Sequence, residues 1–290
     1  MDNILTETID KLSIPEGFRE VCHECGTKDS MPSVDILKEF VLIARSILFP
    51  GYFGDPEVNE HTMRCHIENN INHLNSILRQ QIKAGICFSF NGESHDMKKV
   101  EEEAIDKTNI FLTLLPEIRD KLHTDVVAAY NGDPAAKSFG EVIFCYPSIR
   151  AISNYRMAHA LLKLDVPLIP RIITEMAHSE TGIDIHPGAT IGDYFTIDHG
   201  TGVVIGETAT IGNNVKMYQG VTLGAKSFPL DEDGNPIKGI PRHPHIGNNV
   251  IIYSNSTILG TITVGDGAVI GGNLWVDSDV PAGAKLAQKK

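Results

Sequence analysis

The stretch from Ile246 to Ala282, IGNNVIIYSNSTILGTITVGDGAVIGGNLWVDSDVPA, decides the fold. Every sixth residue in it is β-branched and apolar: Ile246, Ile252, Ile258, Val264, Ile270 and Val276. A period of six fits neither an α-helix nor an alternating strand. It predicts a chain that forms a short strand, turns a corner and repeats, so that three sides close a triangular coil of about eighteen residues. Successive coils then stack at a spacing of roughly 4.8 Å.

The same period continues upstream of this stretch. It runs through Ile185, Ile191 and Ile197, and resumes two residues out of phase at Ile205, Ile211, Met217 and Leu223. A β-sandwich is the alternative interpretation, but sandwich strands do not keep a strict period over so many steps. The repeats therefore predict a coiled parallel β-domain over residues 182–290. A loop over residues 225–244, rich in Pro, Gly, Asp and Lys, is predicted to leave the coil.

Residues 1–181 are predicted to form an all-helical assembly domain, in which residues 1–30 form a short helix or an ordered arm. Apolar stripes, caps and breakers delimit the helices. The Asn91–Ser94 segment is expected to turn, and Pro116 is expected to break or restart a helix. The predicted helices span residues 33–48, 57–84, 95–114, 124–130, 138–160 (split near Pro147) and 168–178.

Bulk properties exclude several classes of protein. The 290-residue chain carries a formal net charge of −12, which argues against a nucleic-acid or anionic-membrane partner. The acidic start MDNILTETIDKL has no signal-peptide core, so we expect a cytoplasmic protein. The five cysteines are an odd number, which argues against a disulfide scaffold. Cys22 and Cys25 form a lone C-x-x-C, without the second pair that a zinc site needs.

The repeat register singles out one histidine. The step from Ile197 to Ile205 takes eight residues instead of six, so His199 lies on an irregular corner of the coil. Asp184 precedes His199 by fifteen residues, nearly one coil, which places the two side chains within plausible reach. A carboxylate that orients an imidazole leaves its other nitrogen free to take a proton from a hydroxyl. The alternative interpretation is a surface histidine at a turn.

Five segments stand out from the bare repeat: Asp184-Ile185-His186-Pro187, Ile197-Asp198-His199-Gly200-Thr201-Gly202, Gly206-Glu207-Thr208-Ala209, Gln219-Gly220-Val221-Thr222-Leu223-Gly224 and Arg242-His243-Pro244. With Asp133-Pro134-Ala135 and Tyr155-Arg156, they resemble the signature of the serine O-acetyltransferases, which are hexapeptide-repeat acyltransferases. The resemblance implies an α + β-solenoid: a helical domain followed by a left-handed parallel β-helix. General strand chirality alone favours right-handed crossovers.

The resemblance also implies a reaction. Acetyl-CoA is the co-substrate, and its acetyl group passes to the hydroxyl of L-serine in the first committed step of cysteine biosynthesis. No metal is required. His199 is implied as the general base, and Asp184 as the carboxylate that orients it.

The serine site is implied by the same resemblance. Asp133 and Asp198 hold the ammonium group, Arg242 binds the carboxylate, and His243 helps to bind the substrate. The charge pattern agrees, because a zwitterion needs acids at one end and a bidentate cation at the other.

The resemblance implies that coenzyme A lies in a groove between the β-helix domains of adjacent subunits, near the backbone of Gly224, Ala225, Ser254 and Gly272. Lys226, Lys238 and Lys285 are candidate partners for its phosphates, although such lysines are more often simply solvated. The family also implies a homotrimer, or a dimer of trimers joined by the helical half, with sites at the subunit seams. The tail ends in Lys290 and not in the Ile that docks into O-acetylserine sulfhydrylase, so that complex is not carried over.

Three other functions stay open at this point. One is a hexapeptide acetyltransferase for another hydroxyl, such as a sugar, an antibiotic or homoserine. The second is a coiled carbonic anhydrase, which needs three histidines on zinc from among His186, His199, His243 and His245. The third is a structural hexapeptide subunit without activity.

Overall fold

The computed structural model describes residues 2–13, 31–90 and 95–288. The Cys22–Cys25 motif and the turn expected at 91–94 therefore lie outside the described residues. The helices are α1 (Asp2–Ser13), α2 (Val34–Leu48), α3 (Met63–Ser89), α4 (Met97–Gly132), α5 (Phe139–Cys145), α6 (Pro147–Lys163) and α7 (Ile169–Thr181). No helix in the described ranges is long and apolar enough to cross a membrane.

Most of the predicted helices are present, and some of their ends follow the sequence signals. The hydroxyl of Ser33 accepts a hydrogen bond from the Ile36 N–H and caps α2. Pro147 starts α6 directly after α5, as the expected split near that residue requires. The helix expected from residue 57 begins later, at Met63, and extends to Ser89.

The prediction that Pro116 breaks a helix was wrong. Helix α4 runs without interruption from Met97 to Gly132 and includes Pro116. Phe111, Leu115, Ile118 and Leu122 are all buried on the two sides of the proline. Because the apolar stripe continues in register through the proline, burial of this face outweighs the loss of one backbone hydrogen bond.

The second half of the chain is a parallel β-solenoid, as the six-residue period predicts. Its strands are β1 (Asp184–Ile185), β2 (Thr190–Ile191), β3 (Thr196–Asp198), β4 (Val204–Ile205), β5 (Thr210–Ile211), β6 (Lys216–Tyr218), β7 (Thr222–Gly224), β8 (His245–Ile246), β9 (Ile251–Ile252), β10 (Thr257–Leu259), β11 (Thr263–Val264), β12 (Val269–Ile270), β13 (Trp275–Val276) and β14 (Lys285–Leu286). All the pairings between them are parallel. The repeated Ile, Val, Leu and Met residues are buried inside the coil.

The strands form three sheets, which are the three faces of the coil. Face 1 holds β1, β4, β7, β10 and β13; face 2 holds β2, β5, β8 and β11; face 3 holds β3, β6, β9, β12 and β14. We call the edge from face 1 to face 2 the loop corner, because residues 225–244 leave the coil there, between β7 and β8. We call the edge from face 3 to face 1 the His199 corner.

A buried ion pair joins the helices to the first coil. Asp125 of α4 receives two hydrogen bonds from Arg156 of α6, at 2.6 and 2.8 Å. Asp125 also accepts the Phe195 N–H at 3.0 Å, and Arg156 donates to the Gly192 carbonyl at 2.9 Å. The exposed fraction is 0% for the Asp125 side chain and 4% for the Arg156 side chain. The pair therefore fixes two helices to the corner between faces 2 and 3.

We expect Asp125→Ala to lower the free energy of unfolding by about 3–5 kcal/mol, because it leaves the Arg156 guanidinium buried without its carboxylate. Urea unfolding followed by circular dichroism measures the loss. The matched control is Asp35→Ala, which breaks an exposed pair with Lys38 and is expected to change stability by less than about 1 kcal/mol. Equal losses in the two variants would contradict the prediction.

Candidate active site

The turn that contains His199 is two residues longer than the turn at the same edge of the next coil. Ile185 pairs with Ile205 twenty residues later, whereas Ile205 pairs with Leu223 eighteen residues later. The two added residues produce a turn in which His199 and Gly200 have φ of 60° and 96°. Glycine suits the second of these positions, because its left-handed backbone packs directly against Ile183. The added turn exposes 76% of the His199 side chain, whose Nε2 lies 3.9 Å from Asp198 Oδ1.

The C-terminal end of α4 brings a second carboxylate to the same place. Asp133 caps α4 and accepts hydrogen bonds from the Tyr146 hydroxyl and from the Ala135 N–H at 2.8 Å. These two bonds, followed by the charges of Lys216 and His199, hold the pKa of Asp133 below its usual value. Asp133, Asp198 and His199 therefore lie together, beside Lys216 on face 3.

Asp184 lies on β1, one residue before the buried Ile185. Among the described residues, Asp184 and His199 make no hydrogen bond or ion pair with each other. The Asp184 carboxylate instead lies within 4.8 Å of ligand atoms of Glu175 and His178. Glu175 in turn forms an ion pair with Arg171. The pairing of Asp184 with His199 stays a prediction.

The loop corner carries Arg242 and His243 at the base of the extruded loop. Arg242 donates to Glu207 Oε2 at 2.6 Å, and its backbone N–H donates to the Thr208 hydroxyl at 2.9 Å. The guanidinium is only partly buried, so it keeps donors for a ligand. The residues that hold Arg242 come from the previous coil: Glu207 is 35 positions earlier in the chain and Thr208 is 34 positions earlier.

His243 is buried, and its hydrogen bonds fix its tautomer. Its Nδ1 accepts the backbone N–H of Thr208 at 3.1 Å and lies 2.8 Å from the Thr208 hydroxyl. A backbone N–H only donates, so Nδ1 is unprotonated and the neutral ring carries its proton on Nε2. Burial, followed by the charge of Arg242, lowers the pKa of His243 to about 4. Gly206 packs against the ring, and a Cβ there would overlap it.

We expect His243 to make the protein less stable on acidification. Because its folded pKa is lowered, the unfolded chain takes up a proton between about pH 6.5 and 4 while the folded chain does not. Stability therefore falls as the pH falls through this window. Urea unfolding at pH 7 and pH 4.5 should show that His243→Gln loses less stability than the wild type, by about 1–3 kcal/mol. The control is His61→Gln, which changes an exposed histidine. If both variants lost as much stability between pH 7 and pH 4.5 as the wild type does, the prediction would be contradicted.

A single chain does not assemble all of the predicted serine-binding residues. Asp133, Asp198 and His199 lie at the edge of face 3 next to the His199 corner, whereas Arg242 and His243 lie at the loop corner. Face 1 separates the two corners. The structure therefore presents two half-sites, an acidic one with the candidate base and a cationic one with a hydrogen-bond donor.

The four residues proposed for coenzyme A divide in the same way. Gly224 and Ala225 lie where the loop leaves face 1, and the Gly224 carbonyl accepts the Gly260 N–H at 3.0 Å. Ser254 and Gly272 lie on neighbouring coils at the His199 corner, where the Ser254 carbonyl accepts the Asn273 N–H at 2.9 Å. A cavity of about 310 Å³ opens at the base of the loop; Lys226, Ser227, Arg242 and Leu259 are among its lining residues.

Several contributing residues had no role in the sequence analysis. Glu207 and Thr208 belong to a quoted motif, but only the structure shows that they hold Arg242 and His243. Tyr146 and Lys216 lie outside every motif; Tyr146 contacts Asp133, and Lys216 contacts both Asp198 and the Gly132 carbonyl, which is 84 positions away in the chain. No sequence signal identified this second pair.

The zinc-site alternative has no support in the geometry. In the described ranges, the group with metal-ligand spacing is Glu175, His178 and Asp184. None of His186, His199, His243 and His245 belongs to it. His186 Nδ1 accepts the Gly188 N–H, and His245 Nδ1 bonds the Thr210 hydroxyl. The histidines of the coil are thus engaged separately.

Comparisons with known proteins identify the family of this chain. Residues 243–277 match the family described as "Bacterial transferase hexapeptide (six repeats)". The plasmid serine acetyltransferase of Synechococcus elongatus is 50% identical over 261 residues, which are 89% of this chain and 82% of that protein. The chain belongs to the serine acetyltransferase family. The serine acetyltransferase of Bacillus subtilis is 47% identical over 160 residues, 55% of this chain and 70% of the relative.

A solved structure of the family has the same architecture. Serine acetyltransferase 1 of Entamoeba histolytica, in complex with L-cysteine, superposes with a TM-score of 0.75 at 36% identity. The match covers 90% of this chain and 88% of the other. Because it spans both the helices and the solenoid, the family likeness extends well beyond the repeats.

Proposed function

We propose that this chain transfers the acetyl group of acetyl-CoA to the hydroxyl of L-serine and forms O-acetyl-L-serine and coenzyme A. Membership of the serine acetyltransferase family supports the reaction. The observation that supports serine as the substrate is the division of charge between the two half-sites. One corner has carboxylates beside a histidine, and the other has a guanidinium beside a neutral histidine. This division matches the two ends of an amino-acid zwitterion.

Together, the two half-sites supply the base and the hydrogen-bond donor that an acyl transfer needs. An imidazole nitrogen of His199 takes the proton of the serine hydroxyl while the oxygen attacks the thioester carbonyl. The resulting oxyanion is stabilised by a donor, for which the Nε2–H of His243 is suited because that ring stays neutral. The C–S bond then breaks, and the sulfur leaves as a thiol with the proton from His199. Asp184 is the carboxylate assigned to orient His199; its strand partner, Val204, follows His199 by five residues.

Serine is held at both ends in this arrangement. Asp133 and Asp198 face the ammonium group, and Arg242 receives the carboxylate. The E. histolytica relative binds L-cysteine, an amino acid with the same two charged ends. Coenzyme A lies along the groove marked by Gly224 and Gly272, with cations of the loop near its phosphates.

We further propose that the site forms between chains. Three copies around a three-fold axis place the His199 corner of one chain against the loop corner of the next, which joins an acidic half-site to a cationic one. The helical residues 1–181 then serve assembly, and join two such trimers.

A direct assay tests the proposal. Purified protein, acetyl-CoA and a thiol reagent are combined with L-serine, homoserine, a sugar or no acceptor. We expect coenzyme A release to match O-acetylserine formation, and serine to exceed homoserine by about a hundredfold in kcat/KM, because an added methylene displaces either the hydroxyl or the charged ends. Faster turnover with homoserine or a sugar than with serine would overturn the proposed substrate.

A further inference from the structure

The structure places a lysine beside the carboxylates that are proposed to bind the substrate ammonium. Lys216 on β6 points outward from face 3, next to Asp198 on the neighbouring strand β3. Its Nζ lies 3.2 Å from Asp198 Oδ2 and donates to the carbonyl of Gly132 at 2.6 Å. Gly132 is the last residue of α4, and the next residue is Asp133. The Lys216 ammonium therefore contacts Asp198 directly, and it contacts the residue next to Asp133.

An aromatic side chain completes the environment of this lysine. Nζ lies 4.7 Å from the centroid of the Tyr218 ring, and that ring stacks on Tyr253 at 5.1 Å. Such a cation–π contact adds to the carboxylate contact. Burial of the ammonium is outweighed by Tyr218 and Asp198, so the pKa of Lys216 lies above its usual value. Lys216 is therefore charged whenever the enzyme works.

We propose that Lys216 is a positioning residue for the serine ammonium. It acts through Asp198 and through the end of α4, and not by touching the substrate. This proposal rests on the proposed function, in which Asp133 and Asp198 bind that group. Tyr146 fixes Asp133 from the other side, through its hydroxyl.

Two effects of Lys216 support this role. It clamps the C-terminal carbonyl end of α4 onto face 3, where a cation is also favoured by the helix dipole. It also balances one of two carboxylates, so that the half-site keeps one unbalanced negative charge while His199 is neutral. One remaining negative charge matches one ammonium group on the substrate.

Steady-state kinetics of Lys216→Met test the proposal. We expect the KM for serine to rise about tenfold, because Asp198 loses its partner and the end of α4 is released. The KM for acetyl-CoA should stay within about twofold, since that ligand makes no use of the ammonium half-site. Lys216→Arg should restore most of the serine KM, since a guanidinium can reach the same carboxylate and carbonyl.

A second acceptor separates ammonium recognition from general damage. 3-Hydroxypropionate keeps the hydroxyl and the carboxylate of serine but lacks the ammonium. Its kcat/KM should be unchanged in Lys216→Met, so the preference for serine over 3-hydroxypropionate should fall about tenfold. A purely structural lesion would lower both acceptors together.

Lys107 provides a matched control on α4. Its Nζ donates to the Asp165 carbonyl at 2.8 Å and pairs with Glu103 at 2.8 Å, and 15% of its side chain is exposed, against 18% for Lys216. Lys107→Met removes the same kinds of contact far from the half-site and should leave the serine KM unchanged. A serine KM that is equal in both variants, in an active wild type, would overturn this proposal alone. A wild type that does not acetylate serine would overturn the proposed function and this assignment with it.

Discussion

His199→Asn is expected to lower kcat by about 10²–10⁴-fold while the protein keeps its fold and assembly state. The loss follows from removing the only proton acceptor of the proposed transfer, since an amide cannot take the serine proton. Asparagine is the appropriate replacement, because His199 has a positive φ of 60° and asparagine tolerates the left-handed region better than alanine. The measurement is steady-state turnover, together with thermal unfolding and mass in solution.

A control with the same backbone requirement exists on the first coil. Tyr194 has φ of 56°, and the corresponding corner positions of the next coils are Asn214 and Asn249. Tyr194→Asn therefore places asparagine where the solenoid already accepts it, away from both half-sites, and should leave kcat unchanged. Normal turnover in His199→Asn would remove His199 from the mechanism. A fall in kcat in both variants would indicate damage to the coil instead.

The solenoid was predictable because its signal is local and repeated. Each inward-facing residue predicts the same coil geometry, so the prediction holds even where a single position departs from the pattern. The same regularity made the irregular corner at His199 visible as a shift of two residues. The continuous helix α4 was not predictable in this way, because local proline chemistry and tertiary burial favour opposite outcomes at Pro116.

The candidate site was predictable only in part. His199, Asp133, Asp198, Arg242 and His243 stood in recognisable motifs, and the structure shows which of them lie together. The residues that hold these side chains in place lie outside the motifs. The Tyr146 hydroxyl donates to Asp133 from the junction of α5 and α6, and Lys216 on β6 donates to the Gly132 carbonyl at the end of α4, 84 residues away. Contacts of this kind depend on how the helices dock on face 3, and no single-sequence pattern reports that docking.

The division of the site between corners leads to the second large effect, recovery of activity from two inactive chains. His199→Asn lacks the base, and Arg242→Ala is expected to raise the serine KM about a hundredfold or more by removing the carboxylate partner. If the proposed trimer forms, co-expression of the two variants yields mixed trimers with seams where the intact His199 of one chain meets the intact Arg242 of its neighbour. Random assembly of equal amounts gives such a pairing in about a quarter of the seams.

We therefore expect the mixture to recover about a quarter of the wild-type activity per site, measured at a serine concentration where each variant alone is nearly inactive. The matched control mixes His199→Asn with the double variant His199→Asn/Arg242→Ala. No seam in that mixture has an intact base, so activity should stay absent. If each chain builds a whole site by itself, both mixtures stay inactive, because every chain carries a lesion. Recovery in the first mixture and not in the second is the outcome that only a shared site produces, since face 1 keeps the two half-sites of one chain apart.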